Sequence, residues 1–149
     1  MQKMNLKIRK MEEHDLAPLY ELLSDEQVMK YLEPPYSKEQ TARFLERAGL
    51  SEPPLIYAVE QDGLFIGYVM FHEYDETGME IGWVLHPRCW GNGVASALTG
   101  QLIERSRELN KQPVIECVPG QETTRHIAMK FGFDHEGRKD GLDVFRLKR

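Results

Sequence analysis

Two runs with strand-like alternation, Leu55–Gln61 and Leu64–Tyr74, flank the dipeptide Asp62-Gly63. Asp-Gly between such runs is the strongest short-range hairpin signal, because both central residues of a type I′ turn need positive φ. A third run, Met79–Leu85, follows a turn-forming stretch at Asp75–Gly78. Three strands joined this way predict an antiparallel meander in the middle of the chain. The other elements must extend it or cover it.

Before the meander, Lys7–Lys10 alternates and reads as a short first strand. Asp15–Leu23 carries Leu16, Leu19, Leu22 and Leu23 at helical spacing. Ser37 and Gln40 form a capping box and Gly49 offers a stop, so Lys38–Ala48 reads as a second helix. Between these helices Leu32-Glu33-Pro34-Pro35-Tyr36 reads as a rigid, non-helical link. After the meander, Val94–Leu109 places Val94, Leu98, Leu102 and Leu109 on one helical stripe. Pro113–Val118 reads as a strand and Thr123–Phe131 as a helix ended by Gly132. Phe133–Arg138 and Leu142–Lys148, joined through Asp140-Gly141, make a last hairpin. The order β–α–α–βββ–α–β–α–ββ belongs to the α+β (mixed α/β) class, a mostly antiparallel mixed sheet with helices on both faces. A chain of 149 residues with no repeat or linker suits one domain over residues 1–149.

Composition narrows the function classes. With 41% hydrophobic and 29% charged residues, the chain has an ordinary globular profile. No apolar run approaches the roughly 18–20 residues of a membrane span. Met1–Arg9 is polar and basic with no apolar stretch behind it, which is unlike a signal peptide. Two cysteines, Cys89 and Cys117, lack CxxC spacing, so a cytoplasmic protein without disulfides is expected. The five histidines, His14, His72, His86, His126 and His135, are scattered, and no metal site is expected. A net charge of −5 discourages nucleic-acid binding. The same charge suits a cationic acceptor such as an amine, and equally suits mere solubility.

The segment His86-Pro87-Arg88-Cys89-Trp90-Gly91-Asn92-Gly93-Val94-Ala95-Ser96 carries the chemistry. A strand ends at Leu85, Pro87 stops it, and two glycines open a helix. Glycine lets backbone turn sharply and approach a ligand, and a helix start presents amides and a positive dipole end. Together they make an anion site suited to phosphate. Val94 and Ala95 are small enough to leave those amides reachable, and Arg88 offers a charge at the rim. A tight turn whose glycines serve only geometry is an equal alternative. There is no GxxxxGK[ST], and Ser96 stands where a dinucleotide fingerprint needs Gly or Ala. Glu116 has about the right separation for a ribose-binding acid, but hairpins precede the loop and too little chain follows for a doubly wound sheet.

From Leu6 to Leu147 the sequence resembles the GNAT superfamily of N-acetyltransferases. The family's coenzyme loop, Gln/Arg-x-x-Gly-x-Gly/Ala, falls on Trp90-Gly91-Asn92-Gly93-Val94-Ala95, with Trp90 a departure. A Trp-Gly-x-Gly form is typical of the RimJ/RimL-like branch, which acetylates ribosomal-protein N-termini. A second motif, Asn-x-x-Ser before a helix ending in Gly-Phe, is similar to Gln121-Glu122-Thr123-Thr124 and Phe131-Gly132-Phe133. The resemblance implies acetyl-coenzyme A as cosubstrate, and Gln121 and Thr124 join the loop residues as its expected contacts. It implies direct transfer to a primary amine, either a small molecule or a protein N-terminus, and it allows a homodimer.

Three tasks follow from that reaction. Glu80 is the candidate base, since alternation puts Glu80, Gly82 and Val84 on one strand face and Ile81, Trp83 and Leu85 on the other. A carboxylate in a partly apolar cleft is pushed toward useful base strength. The plain alternative is an exposed strand residue that only orients the amine. Backbone amides near Val84 and Leu85 are the candidate oxyanion donors, and the family's strand splays after this point to pair with the pantetheine arm. Gly82 suits a bulge or close approach. The Tyr that many family members use to protonate the thiolate falls on Ala128, leaving Tyr31, Tyr36 and Tyr74 as unranked substitutes. One of His72 and Glu73 should face the substrate. Cys89 reads as a free loop thiol, Trp83 and Trp90 as packing residues, and Leu32–Tyr36 as the loop that shapes the acceptor pocket or as a simple connection. A non-catalytic acyl-coenzyme A sensor and a nucleotide-binding regulatory domain are the competing readings.

Overall fold

The computed structural model describes residues 4–148. The N-terminal reading began at Met1, so its first three positions lie outside the described residues. Seven strands, β1 (Leu6–Arg9), β2 (Ile56–Gln61), β3 (Leu64–Glu73), β4 (Gly78–Leu85), β5 (Gln112–Cys117), β6 (Asp134–Lys139) and β7 (Leu142–Arg146), run in the order β1-β2-β3-β4-β5-β7-β6. β1–β2, β2–β3, β5–β7 and β6–β7 pair antiparallel, and β4–β5 pairs parallel. Among the described residues five α-helices accompany them: α1 (Leu16–Leu23), α2 (Glu26–Met29), α3 (Lys38–Phe44), α4 (Val94–Glu108) and α5 (Glu122–Lys130). This is the mostly antiparallel mixed sheet that the strand pattern predicts. The chain divides into two compact units, the described parts of Met1–Met70 with Trp83–Leu98, and Phe71–Gly82 with the described part of Thr99–Arg149.

In the first unit, Asp62 and Gly63 adopt φ of 52° and 84°, as a primed hairpin turn requires. Arg9 ties the chain's start together. Its guanidinium donates to both carboxylate oxygens of buried Asp15 at 2.9 Å and to Glu60 at 2.6 Å. Asp15 also accepts from the Glu12 amide at 2.8 Å, and this closes a 3-10 turn, Glu13–Asp15, that feeds α1. The expected helix from Asp15 therefore begins one residue later. Pro18 sits in the first turn of α1, where no intrahelical bond is lost. Leu19, Leu22 and Leu23 are buried against Ile56, Ala58 and Tyr68.

Two local readings need correction here. The short helix α2 was not expected; Asp25 caps it by accepting from the amides of Gln27 at 2.8 Å and Val28 at 3.1 Å. The expected helix Lys38–Ala48 is α-helical only through Phe44 and continues as a π turn, Leu45–Gly49, with Leu50 N donating to Leu45 O. Gly49 is not a left-handed stop. A Cβ there would lie 3.1 Å from both Leu45 Cδ1 and Met11 Cβ, so the residue is small because the helix packs close.

In the second unit, Asp75 organises the turn before β4. Its Oδ1 accepts from the amides of Thr77 at 3.1 Å and Gly78 at 2.7 Å, and its Oδ2 from Arg146 at 2.6 Å. A Cβ on Gly78 would meet Arg146 Nη1 at 2.8 Å, which explains the glycine. Val114 and Ile115 are both buried, as befits an inner strand. Asp140-Gly141, with φ of 51° and 80°, closes the β6–β7 hairpin. The stripe predicted for α4 fails at its end. Leu109 is exposed, while Leu102, Ile103 and Ser106 are buried, with Ser106 Oγ donating to Leu102 O at 2.9 Å. The helix stops at Glu108, before Leu109 can turn inward.

Candidate active site

The glycine loop lies in the first unit. His86 N donates to Ile66 O, which ends the strand pairing of β4. Pro87–Cys89 then forms a 3-10 turn, with Cys89 N donating to His86 O and Trp90 N to Pro87 O. His86 Nδ1 accepts from the Arg88 amide at 3.2 Å. Gly91 and Gly93 adopt φ of 77° and 80°, a region that L side chains resist. Ala97 N donates to Gly93 O at 3.0 Å, so the helical ladder of α4 starts at the second glycine. Trp90, Gly91, Asn92 and Gly93 are exposed, and Val94 is buried beneath them.

These residues fit a coenzyme diphosphate. A Cβ built on Gly91 has nothing within 4 Å, so the space over the backbone is open for a ligand that a side chain would obstruct. The helix start supplies amides and a positive dipole end. Arg88 differs from its sequence expectation in orientation, because its Nη2 donates to the Phe65 carbonyl at 3.0 Å. Trp90 corrects another expectation. It is 46% exposed rather than packed, and its indole N–H donates to Leu85 O at 2.9 Å. The indole thus latches the loop onto the end of β4. Gly67 backs the same strand end, since a Cβ there would land on the Val84 carbonyl oxygen and 2.9 Å from Leu85 Cα. Cys89 is free and buried, and burial pushes its thiol up, which suits a packed residue and not a nucleophile.

Glu80 lies in the second unit. Parallel pairing of β4 with β5 runs from Gly78↔Gln112 to Glu80↔Val114. Its side chain is 19% exposed, and His72 Nε2 stands 3.7 Å from its Oε1. Burial raises the Glu80 pKa, the His72 charge opposes the rise, and Glu116 adds to it. Of the pair His72 and Glu73, His72 is the one beside Glu80, and Glu73 is exposed.

Sequence reasoning treats Tyr74 as remote and Glu116 as a false ribose acid. The structure joins them, with Tyr74 Oη donating to Glu116 Oε2 at 2.9 Å. Burial, and then Glu116, pushes the Tyr74 phenol up to about 12. No linear spacing signals this pair, since Tyr74 follows the end of β3 and Glu116 lies on β5. In the same unit Gln121 immediately precedes α5, and Thr124 is buried in the first turn of that helix. Ala128 is fully buried. Tyr31 is exposed, and Tyr36 in the first unit donates to Glu33 at 2.6 Å. Among the described residues no helix is long and apolar enough to cross a membrane.

Comparison with known proteins points one way. A family model for the acetyltransferase (GNAT) domain matches residues 5–134. The uncharacterized N-acetyltransferase YnaD of Bacillus subtilis is 30% identical over 137 residues, 89% of this chain and 81% of that protein. The GNAT-family acetyltransferase from Bacillus anthracis matches with a TM-score of 0.81 at 26% identity, over 97% of this chain and 94% of that one. Spermidine N-acetyltransferase from Vibrio cholerae, solved with CoA and spermine, shares the fold with a TM-score of 0.77 at 22% identity, over 95% and 92% of the two chains.

Proposed function

The chain belongs to the GNAT family of acetyltransferases, and from that premise we propose that Glu80 is the base of an acetyl transfer from acetyl-coenzyme A to a primary amine. Glu80 carries this reading, as a mostly covered carboxylate whose pKa burial raises, on the strand that runs into the glycine loop. Bound acetyl-coenzyme A supplies an activated thioester carbonyl. Gly91, Asn92, Gly93 and the first turn of α4, Val94 to Ser96, hold the diphosphate, with Trp90 latching the loop and Arg88 at its rim. The backbone of Val84 and Leu85 serves the pantetheine arm and the carbonyl oxygen. Gln121 and Thr124 contribute from the start of α5.

Glu80 accepts the proton that the amine nitrogen must lose. Ala128 has no proton to give, and Tyr74, at about 12, is a weaker acid than a thiol of ordinary pKa about 8.5. Solvent is the proton source this reading assigns to the departing thiolate, a tolerable leaving group by itself. The acceptor is a small-molecule amine or a protein N-terminus; the RimJ/RimL-like Trp-Gly-x-Gly form of the loop admits the second, and the first is equally open. Two free, buried thiols suit work in a reducing cytoplasm. The chain passes between its two units after Met70, Gly82 and Leu98 and is read as a single domain over residues 1–149.

A free-thiol release assay over a panel of amines and peptides tests the reading. Glu80→Gln should lower turnover and remove the acidic limb of the pH–rate profile. An unchanged profile would rule Glu80 out as the base.

A further inference from the structure

We propose that His72 is a positioning residue that shares one proton with Glu80, so that the pair, not the carboxylate alone, takes up the proton of the acceptor amine. The proposal rests on Glu80 being the base. Tyr74 N donates to Gly78 O, and two residues further along each strand this antiparallel pairing sets His72 opposite Glu80. Their polar atoms, Nε2 and Oε1, are 3.7 Å apart, with the side chains 28% and 19% exposed.

The second ring nitrogen fixes the tautomer. Nδ1 lies 3.0 Å from the Glu73 carbonyl oxygen, which can only accept, so Nδ1 carries a hydrogen. In the neutral ring Nε2 then carries a lone pair 3.7 Å from a carboxylate oxygen. Two acceptors face each other favourably only when one proton lies between them. The empty pair binds that proton more tightly than an isolated carboxylate would, and the pair titrates as a unit. One neighbouring charge works in the same direction. Glu116 faces Glu80 from β5 and favours proton uptake. Tyr74 is occupied by Glu116, Arg146 lies 5.8 Å from the Tyr74 ring centroid, and Glu73 points to solvent.

In the transfer, the amine nitrogen bonds to the acetyl carbonyl carbon and the C–S bond breaks with its electron pair on sulfur. One N–H proton moves to the Glu80–His72 pair and leaves to water through the more exposed imidazole. The thiolate takes its own proton from water.

The sign of one shift separates this from simple electrostatics. If His72 were only a positive charge near Glu80, His72→Ala would strengthen the carboxylate's hold on its proton. The acidic limb of kcat/KM would then move up in pH. A shared proton predicts the opposite, a downward move of at least about one pH unit together with a lower kcat. An upward move or no move overturns the proposal. If Glu80→Gln leaves the limb intact, the base assignment itself has failed, which is a distinct result. A second measurement needs no acceptor. Nitrogen NMR of histidine-labelled protein should show neutral His72 as the Nδ1–H tautomer. The Nε2–H tautomer overturns the sharing.

Discussion

Arg146→Met should cost the fold about 2 kcal/mol at neutral pH, and the cost should shrink in acid. The guanidinium is 8% exposed and donates to Asp75 at 2.6 Å, Glu136 at 3.2 Å, Thr77 at 3.2 Å and Gln112 at 3.3 Å. Methionine keeps much of the apolar stem and removes all four bonds. Hydrogen bonds to charged partners contribute about 1.5–3 kcal/mol each, so two carboxylates set the gross scale. Asp75 is 43% exposed and Glu136 21%, so both recover water in the variant, and the gross figure must be discounted to the net one above. A domain of this size loses roughly 2–4 °C in Tm per kcal/mol, so the midpoint should fall by about 4–8 °C. The pH dependence follows from Asp75, which Arg146 holds down at about 2. A depressed carboxylate contributes stability that is present above its unfolded value, about 3.9, and is lost as pH falls through its folded value. The gap between wild type and variant should therefore be constant from pH 7 to about 4.5 and narrow from there toward pH 2. Urea melts followed by circular dichroism at three pH values measure it. A gap below about 0.5 kcal/mol at pH 7, or one that does not narrow in acid, would refute the reasoning.

Three further outcomes are expected. Trp90→Phe keeps an aromatic ring but loses the donor to Leu85 O, so coenzyme A should bind about fivefold more weakly by calorimetry, on a net hydrogen bond of about 1 kcal/mol; undiminished affinity would show that the latch is irrelevant. Cys89 and Cys117, both buried with thiols pushed up by burial, should react with a disulfide reagent only after denaturant is added, and fast native labelling of either would contradict their placement. Gly67→Ala should fail to fold or lose more than about 3 kcal/mol, whereas Gly100→Ala, with open space around its Cβ inside α4, should gain about 0.5–1 kcal/mol; thermal melts that rank them the other way would be decisive.

Turn chemistry is the layer most legible in the sequence. Asp62-Gly63 and Asp140-Gly141 take positive φ at both positions, as their residue types demand, and each sets the register of a hairpin. The Ser37–Gln40 box caps α3 through a local side-chain exchange, so a local pattern suffices to find it. Legibility fails where a distant partner decides. Gly49 is small because of Met11, which no helix-stop rule contains. Leu109 belongs to the apolar stripe by spacing, but its helix has already ended. The candidate site divides in the same way. The glycine loop is contiguous and could be read directly. Glu80 could be nominated from its strand, but its partner His72 follows from cross-strand register, and the Tyr74–Glu116 pair joins the end of β3 to β5, far apart in sequence.

The exposed indole of Trp90 has a use beyond the fold. The chain contains only two tryptophans, and one of them sits on the loop, 46% exposed as a residue and with its N–H bound to a backbone carbonyl. Half of the tryptophans are thus concentrated where the coenzyme is proposed to arrive. The emission of the unlabelled protein should shift when the loop is covered, and a Trp83-only variant, Trp90→Phe, supplies the dark reference. The residue that departs from the usual loop pattern thereby makes the loop optically addressable without a dye.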